Sequence, residues 1–223
     1  SCFSYVKSMR DFSWVDTSSV SIFDSMFSNS NLTDASFINV TTNATTLKNL
    51  FQNCNKLQKT PNSMDCTNVT TIQGLFENCY FLDDFPTLNN TGNITSTYST
   101  FANCKGLEVA PTITGTLSSC RAMFSGATNV ASIPAYNLSN VTTYPNGYQF
   151  CLSAFNVRES LVTGITSRHS YQNCNMKQAE LVTVFNNLGT ANGSQTIYIQ
   201  NNAGTSDLTT TEIEIATNKG WTV

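Results

Sequence analysis

Apolar residues recur along this chain with a period far longer than that of a helix or a strand. Seven aromatic residues, Phe27, Phe51, Phe76, Phe101, Phe124, Phe150 and Tyr171, stand 24, 25, 25, 23, 26 and 21 residues apart. With each taken as position zero, position two carries Asn29, Asn53, Asn78, Asn103, Gly126, Leu152 and Asn173. Position three carries Ser30, Cys54, Cys79, Cys104, Ala127, Ser153 and Cys174. Position six holds Leu57, Leu82, Leu107 and Val130, and position ten holds Pro61, Pro86, Pro111 and Pro134. A period of roughly 20–50 residues with recurring apolar positions predicts a solenoid, in which each coil buries its apolar face only against the next.

The residue types at each position predict the path of one coil. Asn and Gly tolerate positive φ, so position two turns the chain after a short helical turn, and Leu152 marks a coil with a different backbone. The Leu-x-x-x-Pro stretch reads as a short strand ended by a residue that cannot donate to a ladder. A second extended segment follows at 68–72, 93–95 and 140–143. About seven coils of 21–26 residues, stacked at ~4.8 Å, would make a rod about 30–35 Å long. Positions zero, three and six point inward, which makes Phe51, Phe76, Phe101 and Phe124 with Cys54, Cys79, Cys104 and Cys174 the structural ladder. Residues 8–12 look like a partial coil, and an uncapped edge calls for cover by an upstream segment or a partner.

From Asn175 the period changes. Met176, Ala179, Leu181, Val184, Phe185 and Leu188 fall at helical spacing, with Asn175 as N-cap and Gly189 as the stop. An alternating strand at 195–200 follows, then a helix from Leu208 to about Lys219, opened by Ser206 or Asp207 and closed by Gly220. A short strand at 221–223 ends the chain. The expected organisation is a solenoid over 1–175 and a helix–strand–helix–strand α/β cap over 176–223.

The run Leu50-Phe51-Gln52-Asn53-Cys54 returns as Leu75-Phe76-Glu77-Asn78-Cys79 and Thr100-Phe101-Ala102-Asn103-Cys104, each followed by Leu and Pro at fixed offsets. With the Asn-Val-Thr segments it resembles the BspA-like class of leucine-rich repeats, over roughly residues 16–175. That resemblance implies a β-rich solenoid of the leucine-rich-repeat type. The class occurs in bacterial and parasite surface proteins and in phage or prophage structural proteins. The ending at 214–223 is similar to the tail of repeat proteins from gut Bacteroidetes and their phages. These likenesses imply a virion surface first, on a protein folded in the host cytosol, and a bacterial cell surface second.

Composition narrows the chemistry. The chain has 223 residues, a net charge of −3 and 11% charged residues, well under the roughly 25% of ordinary globular chains. Asn, Ser and Thr take their place, which suits stacked coils because like charges one above another repel. Scattered Lys and Arg offer no basic stripe for nucleic acid, and no apolar run reaches the ~20 residues of a membrane span. The eight cysteines follow the coil period and include no Cys-x-x-Cys, so neither metal binding nor any other cofactor is expected. Ser, Ala and Cys interchange at position three, so that position wants small volume, filled by reduced, inward-facing thiols. Cys2, Cys66, Cys120 and Cys151 lie off the ladder and stay unassigned.

Catalysis has little to work with. His169 is the single histidine, expected at the surface, and its neighbour Cys174 is already explained by the ladder. Asp83 and Asp84 are adjacent in an extended segment, so their side chains point to opposite faces and cannot jointly flank one bond. No enzyme is expected. Frequent Asn-x-Ser/Thr triplets follow from the Asn-Val-Thr repeat.

The longest coil, 124–149, carries Tyr136, Tyr144 and Tyr148 among Asn, Ser and Gly, the composition of a recognition surface. Tyr80 and Phe81 form a second candidate. The first expectation is a non-enzymatic recognition or adhesion module that contacts a host-surface glycan or protein. The second is a structural decoration or fibre spacer whose partners are other proteins of its own virion or surface assembly, further copies of itself included.

Overall fold

The computed structural model describes residues 2–8, 12–142, 154 and 156–223. Segments one repeat apart run parallel and bridge one another. A row of single bridges joins Ile22 to Thr46, Thr46 to Thr71, Thr71 to Ser96 and Ser96 to Ser119. On another side, strand β1 (Ser63–Asp65) pairs with β2 (Thr87–Asn89), Met64 opposite Leu88. Further on, β3 (Ser132–Ile133) pairs with β4 (Glu159–Ser160). Strands β1 and β2 follow Pro61 and Pro86 instead of preceding them, and the Leu57–Pro61 stretch contributes only the single bridge of Lys59 to Asp34. Strand β3, by contrast, lies inside the 130–134 stretch and ends before Pro134, as expected. A proline cannot donate to a ladder, so pairing starts past Pro61 and Pro86 and stops short of Pro134.

Around the described aromatic anchors the backbone is not a helical turn; Phe150 and Leu152 lie outside the described residues. N–H groups alternate between two tasks. Those of Leu50, Gln52 and Cys54 close i→i−3 turns onto Leu47, Asn49 and Phe51. Those of Asn49, Phe51 and Asn53 reach across to Gln73, Leu75 and Glu77 of the next repeat, at 2.8–3.0 Å. Half of the donors thus serve the neighbouring coil, which a helical turn would not allow. The alternation demands left-handed residues. Position two supplies them at Asn29, Asn53, Asn78, Asn103, Gly126 and Asn173, with φ between 56° and 70°. A second left-handed set stands two residues before the anchor, at Ser25, Asn49, Gly74, Ser99 and Ala122.

Five of the anchors form one column of rings. Phe27, Phe51, Phe76, Phe101 and Phe124 stack at centroid distances of 5.6–6.2 Å and interplanar angles of 7–19°. Two additional residues join the column. Phe3 stacks on Phe27 at 5.4 Å, with its N–H on Met26 and that of left-handed Tyr5 on Ser28. Residues 3–8 therefore repeat the anchor turn one period before Phe27. At the other end Tyr136 stacks on Phe124 at 6.2 Å.

The C-terminal block continues the same hydrogen bonding. Strand β5 (His169–Ser170) pairs with β6 (Gln195–Tyr198), which pairs with β7 (Trp221–Thr222), all parallel. Asn201, left-handed, donates its amide to Asn173 at 2.8 Å, so the asparagine row crosses the boundary expected at residue 175. Helix α1 (Gln178–Asn187) begins after Lys177, not Asn175, whose N–H is bound to Val157 O in the preceding coil. Glu180 accepts the Lys177 N–H at 3.1 Å. Helix α2 (Thr210–Thr217) is opened by Thr209, whose hydroxyl accepts from the Glu212 N–H. Ser206 and Asp207, the expected openers, lie in a separate 3-10 turn at Thr205–Asp207. Lys219 ties the helices together by donating to the carbonyls of Phe185, Asn186 and Leu188.

Candidate binding surface

The ladder residues are all interior: Phe51, Phe76, Phe101, Phe124, Cys54, Cys79, Cys104 and Cys174 are buried. The thiols have a directed role. Cys54, Cys79 and Cys104 each donate to the anchor carbonyl one repeat earlier, of Phe27, Phe51 and Phe76, at 3.0–3.2 Å. Burial pushes the Cys174 thiol up to about 12, and Cys66 to about 12 with help from the Asp65 charge. Burial also raises Cys54, Cys79, Cys104 and Cys120. These thiols stay protonated near neutral pH and are poor nucleophiles.

His169 corrects an expectation: it is buried, not at the surface. Its ring lies tilted on Tyr171 at 5.2 Å, and burial lowers its pKa to about 3. Among the described residues no three His, Cys, Asp or Glu side chains gather to hold a metal ion, and no helix is long and apolar enough to cross a membrane.

Tyr136 is a second correction. It has no exposed surface, and its hydroxyl donates to Pro111 O at 2.6 Å. A ring that continues the Phe124 stack and finds one carbonyl for its hydroxyl is core. Tyr144 and Tyr148 lie outside the described residues. Tyr80 and Phe81 are exposed, Phe81 at 67%. The Tyr80 hydroxyl donates to Asn78 Oδ1 at 3.3 Å, and Lys105 Nζ sits 5.7 Å from its ring centroid.

Just past this pair the coils separate. Residues 58–65 are tied to 83–89 through β1 and β2, the Thr87 N–H on Asn62 O, and the Thr60 hydroxyl on Asp84 O. Val109 bridges Ser132 one step further along. Between these two closed steps, no backbone hydrogen bond or bridge joins 83–89 to 106–113. The gap is bounded on both sides. Gly106 packs against the Leu82 carbonyl, where a Cβ would collide, and Thr91 Oγ1 accepts from the Thr114 N–H at 3.0 Å.

Phe85 accounts for the separation. Its ring wedges edge-on against both Phe76 and Phe101, at 5.4 and 5.9 Å, where the coils before and after carry Thr60 and Ala110. Pro86 and Pro111 withhold their own N–H groups from the gap, as Pro61 and Pro86 do one step earlier, where the strands still pair past them. The result is an apolar cleft of about 260 Å³ between Phe85, Leu88, Val109 and the two prolines. A second hollow of about 440 Å³ adjoins it, lined by Asp83, Asp84 and Glu108 with Phe85 and Val109. Val109 is 80% exposed. Asp83 and Asp84, expected on opposite faces of an extended segment, are both exposed and both line this hollow; the apolar wall beside them has no signal in the sequence.

A polar groove of about 240 Å³ runs along the asparagine row, between Lys7, Asn29, Asn53, Asn78 and Tyr80. Its amides are largely occupied with one another: Asn53 donates to Asn29, Asn78 to Asn53 and Asn103 to Asn78, at 2.6–3.0 Å. Such a row stiffens the stack and leaves few groups for a ligand.

No curated protein matches the chain significantly. The family described as Mycoplasma protein of unknown function, DUF285, matches it over residues 1–115 and again over 45–160. Two matches offset by about two repeats are what a family defined on the repeat itself would give. The chain belongs to that family, DUF285.

Proposed function

We propose that this chain is a BspA-like leucine-rich-repeat solenoid acting as a non-enzymatic recognition module, displayed on a virion or a bacterial surface. The parallel bridges one period apart and the column of anchor rings support the architecture. One observation carries the function. In a stack whose described anchors are buried, the coils of Phe76 and Phe101 part to leave an open apolar cleft lined by exposed Val109, and exposed Phe81 stands four residues before Phe85 in the chain. Exposed apolar surface rimmed by polar groups marks interaction sites on soluble proteins. Buried high-pKa thiols and a neutral, interior histidine support binding over chemistry.

The test is retention of labelled protein on arrays of surface glycans and extracellular proteins, compared with a Phe81→Ser/Val109→Ser double variant. The variant should lose at least about tenfold of its binding at unchanged melting temperature. Equal retention of the two proteins would remove the claim for this surface.

A structural role inside an assembly is the second reading. It is favoured by three exposed apolar side chains, Tyr5, Trp14 and Ile22, on the first two repeats. Protection of those three from labelling in the assembled particle, with Phe81 and Val109 also covered, would decide for it.

A further inference from the structure

We propose that the cleft between the coils of Phe76 and Phe101 takes an extended peptide segment of a partner protein, in which an apolar side chain adjoins Lys or Arg. This rests on the recognition reading and names the class of ligand. The two hollows differ in chemistry and share Phe85 and Val109 as a common wall. The first has room for one large apolar side chain against Leu88 and Pro111. The second presents three carboxylates, Asp83, Asp84 and Glu108, none of which accepts a side-chain or backbone hydrogen bond or forms an ion pair within the described residues.

Cations that could neutralise that rim are engaged elsewhere. Lys105 lies over Tyr80, Arg121 over Tyr98, and Lys59 against Asp34. On a chain with only 11% charged residues, three uncompensated carboxylates beside an apolar pocket form a concentrated field. Such a field selects a cation and steers its approach. The backbone points the same way. Because 83–89 and 106–113 make no hydrogen bonds to each other, those of their backbone groups not already bound on the far side, as the Thr87 N–H is to Asn62 O and Pro111 O is to the Tyr136 hydroxyl, are left for an extended chain, as at an exposed strand edge. Neutral sugars fit less well, because they carry no charge for the carboxylate rim to select. Nucleic acid is repelled by the rim.

Fluorescence anisotropy with three N-acetylated, C-amidated hexapeptide probes tests this: Lys-Lys-Leu-Phe-Lys-Gly, its version with Glu for every Lys, and its version with Ser for Leu and Phe. The full chain should bind only the first, more weakly as salt rises. An Asp83→Asn/Asp84→Asn/Glu108→Gln variant should bind it at least about tenfold more weakly, since tenfold is about 1.4 kcal/mol and a lost charge pair is worth at least that. Val109→Ser should weaken it as well, both variants keeping the wild-type melting temperature.

No binding of the first peptide, equal binding of the glutamate peptide, or unchanged affinity in the carboxylate variant would overturn the proposal. So would self-association of the wild type that the carboxylate variant abolishes, or capture of a neutral oligosaccharide at Val109. If array retention survives the carboxylate variant but fails in Phe81→Ser/Val109→Ser, the peptide class falls and the recognition module stands. If retention is indifferent to both variants, the recognition reading falls with it.

Discussion

The coils anchored by Phe76 and Phe101 meet along two faces that behave differently. On the anchor face the N–H groups of Gly74, Phe76 and Asn78 reach Tyr98, Thr100 and Ala102 at 2.8–3.0 Å. The rings stack at 6.0 Å and the Cys104 thiol closes onto Phe76 O. On the other face residues 83–89 and 106–113 share no backbone hydrogen bond. Cohesion between neighbours is thus concentrated in one column, where ring stacking, turn hydrogen bonds and thiol bonds coincide. The opposite face is released from holding the stack together. A repeat protein whose units contact only their neighbours can vary that face without unfolding.

The largest expected effect lies in the column. Phe76→Ala removes a ring that touches Phe51, Phe85 and Phe101 and leaves a cavity, at a cost of about 3–5 kcal/mol. Denaturant unfolding measures it. A loss near 1 kcal/mol would mean that the coils are held elsewhere and would dissolve the contrast between the faces.

The last anchor, Tyr171, has a neighbour that predicts a pH dependence. His169 lies in β5, two residues before Tyr171, and is buried. Burial lowers its pKa from 6.5 to about 3, so between those values the unfolded chain binds a proton that the folded chain refuses. Stability from this residue is therefore complete above pH 6.5 and falls as pH drops toward 3, by up to about 1.4 kcal/mol per pH unit. His169→Gln should flatten that limb of the stability–pH curve. An unchanged slope would mean that the ring is not the group taking up the proton.

Next in size is the asparagine row. Asn78 is left-handed at φ 62°, donates to Asn53 and accepts from Asn103. Asn78→Ala loses the amide and places a Cβ residue in that conformation, for about 1–2 kcal/mol. Asn78→Gly keeps the backbone and loses only the amide, so the difference between the two variants isolates the conformational part. If both cost the same, the row matters through its hydrogen bonds alone.

These examples show what the residues announce and what they hide. Asn and Gly at position two declare their left-handed backbone because few other residues take it cheaply. The matching set two residues before each anchor is silent, since Ser25, Asn49, Gly74, Ser99 and Ala122 share no chemistry; hydrogen bonds to the next coil impose their conformation. Phe3 was passed over because Tyr5 and Val6 stand where Asn and a small residue usually follow. Tyr136 misled through its neighbours: Asn, Ser and Gly around a tyrosine look like a loop, yet the ring fills the column beyond Phe124. The cleft is least legible of all. It exists through a size mismatch, Phe85 between Thr60 and Ala110, and through pairing that does not form, and neither leaves a motif.

The smallest expected effect is the most informative about the open face. Val109 is 80% exposed, so Val109→Ser removes little buried surface and should change stability by less than about 0.5 kcal/mol. Its single bridge to Ser132 uses backbone groups that the substitution retains. Hydrogen exchange at 106–113 should likewise match the wild type, while exchange at the anchor turns of Phe76 and Phe101 stays far slower in both proteins. A destabilisation approaching that of Phe76→Ala would mean that Val109 is held in a closed packing and that the cleft is filled by the protein itself. A null effect on folding leaves the side chain available for a partner, which is the condition that any recognition role for this face must meet first.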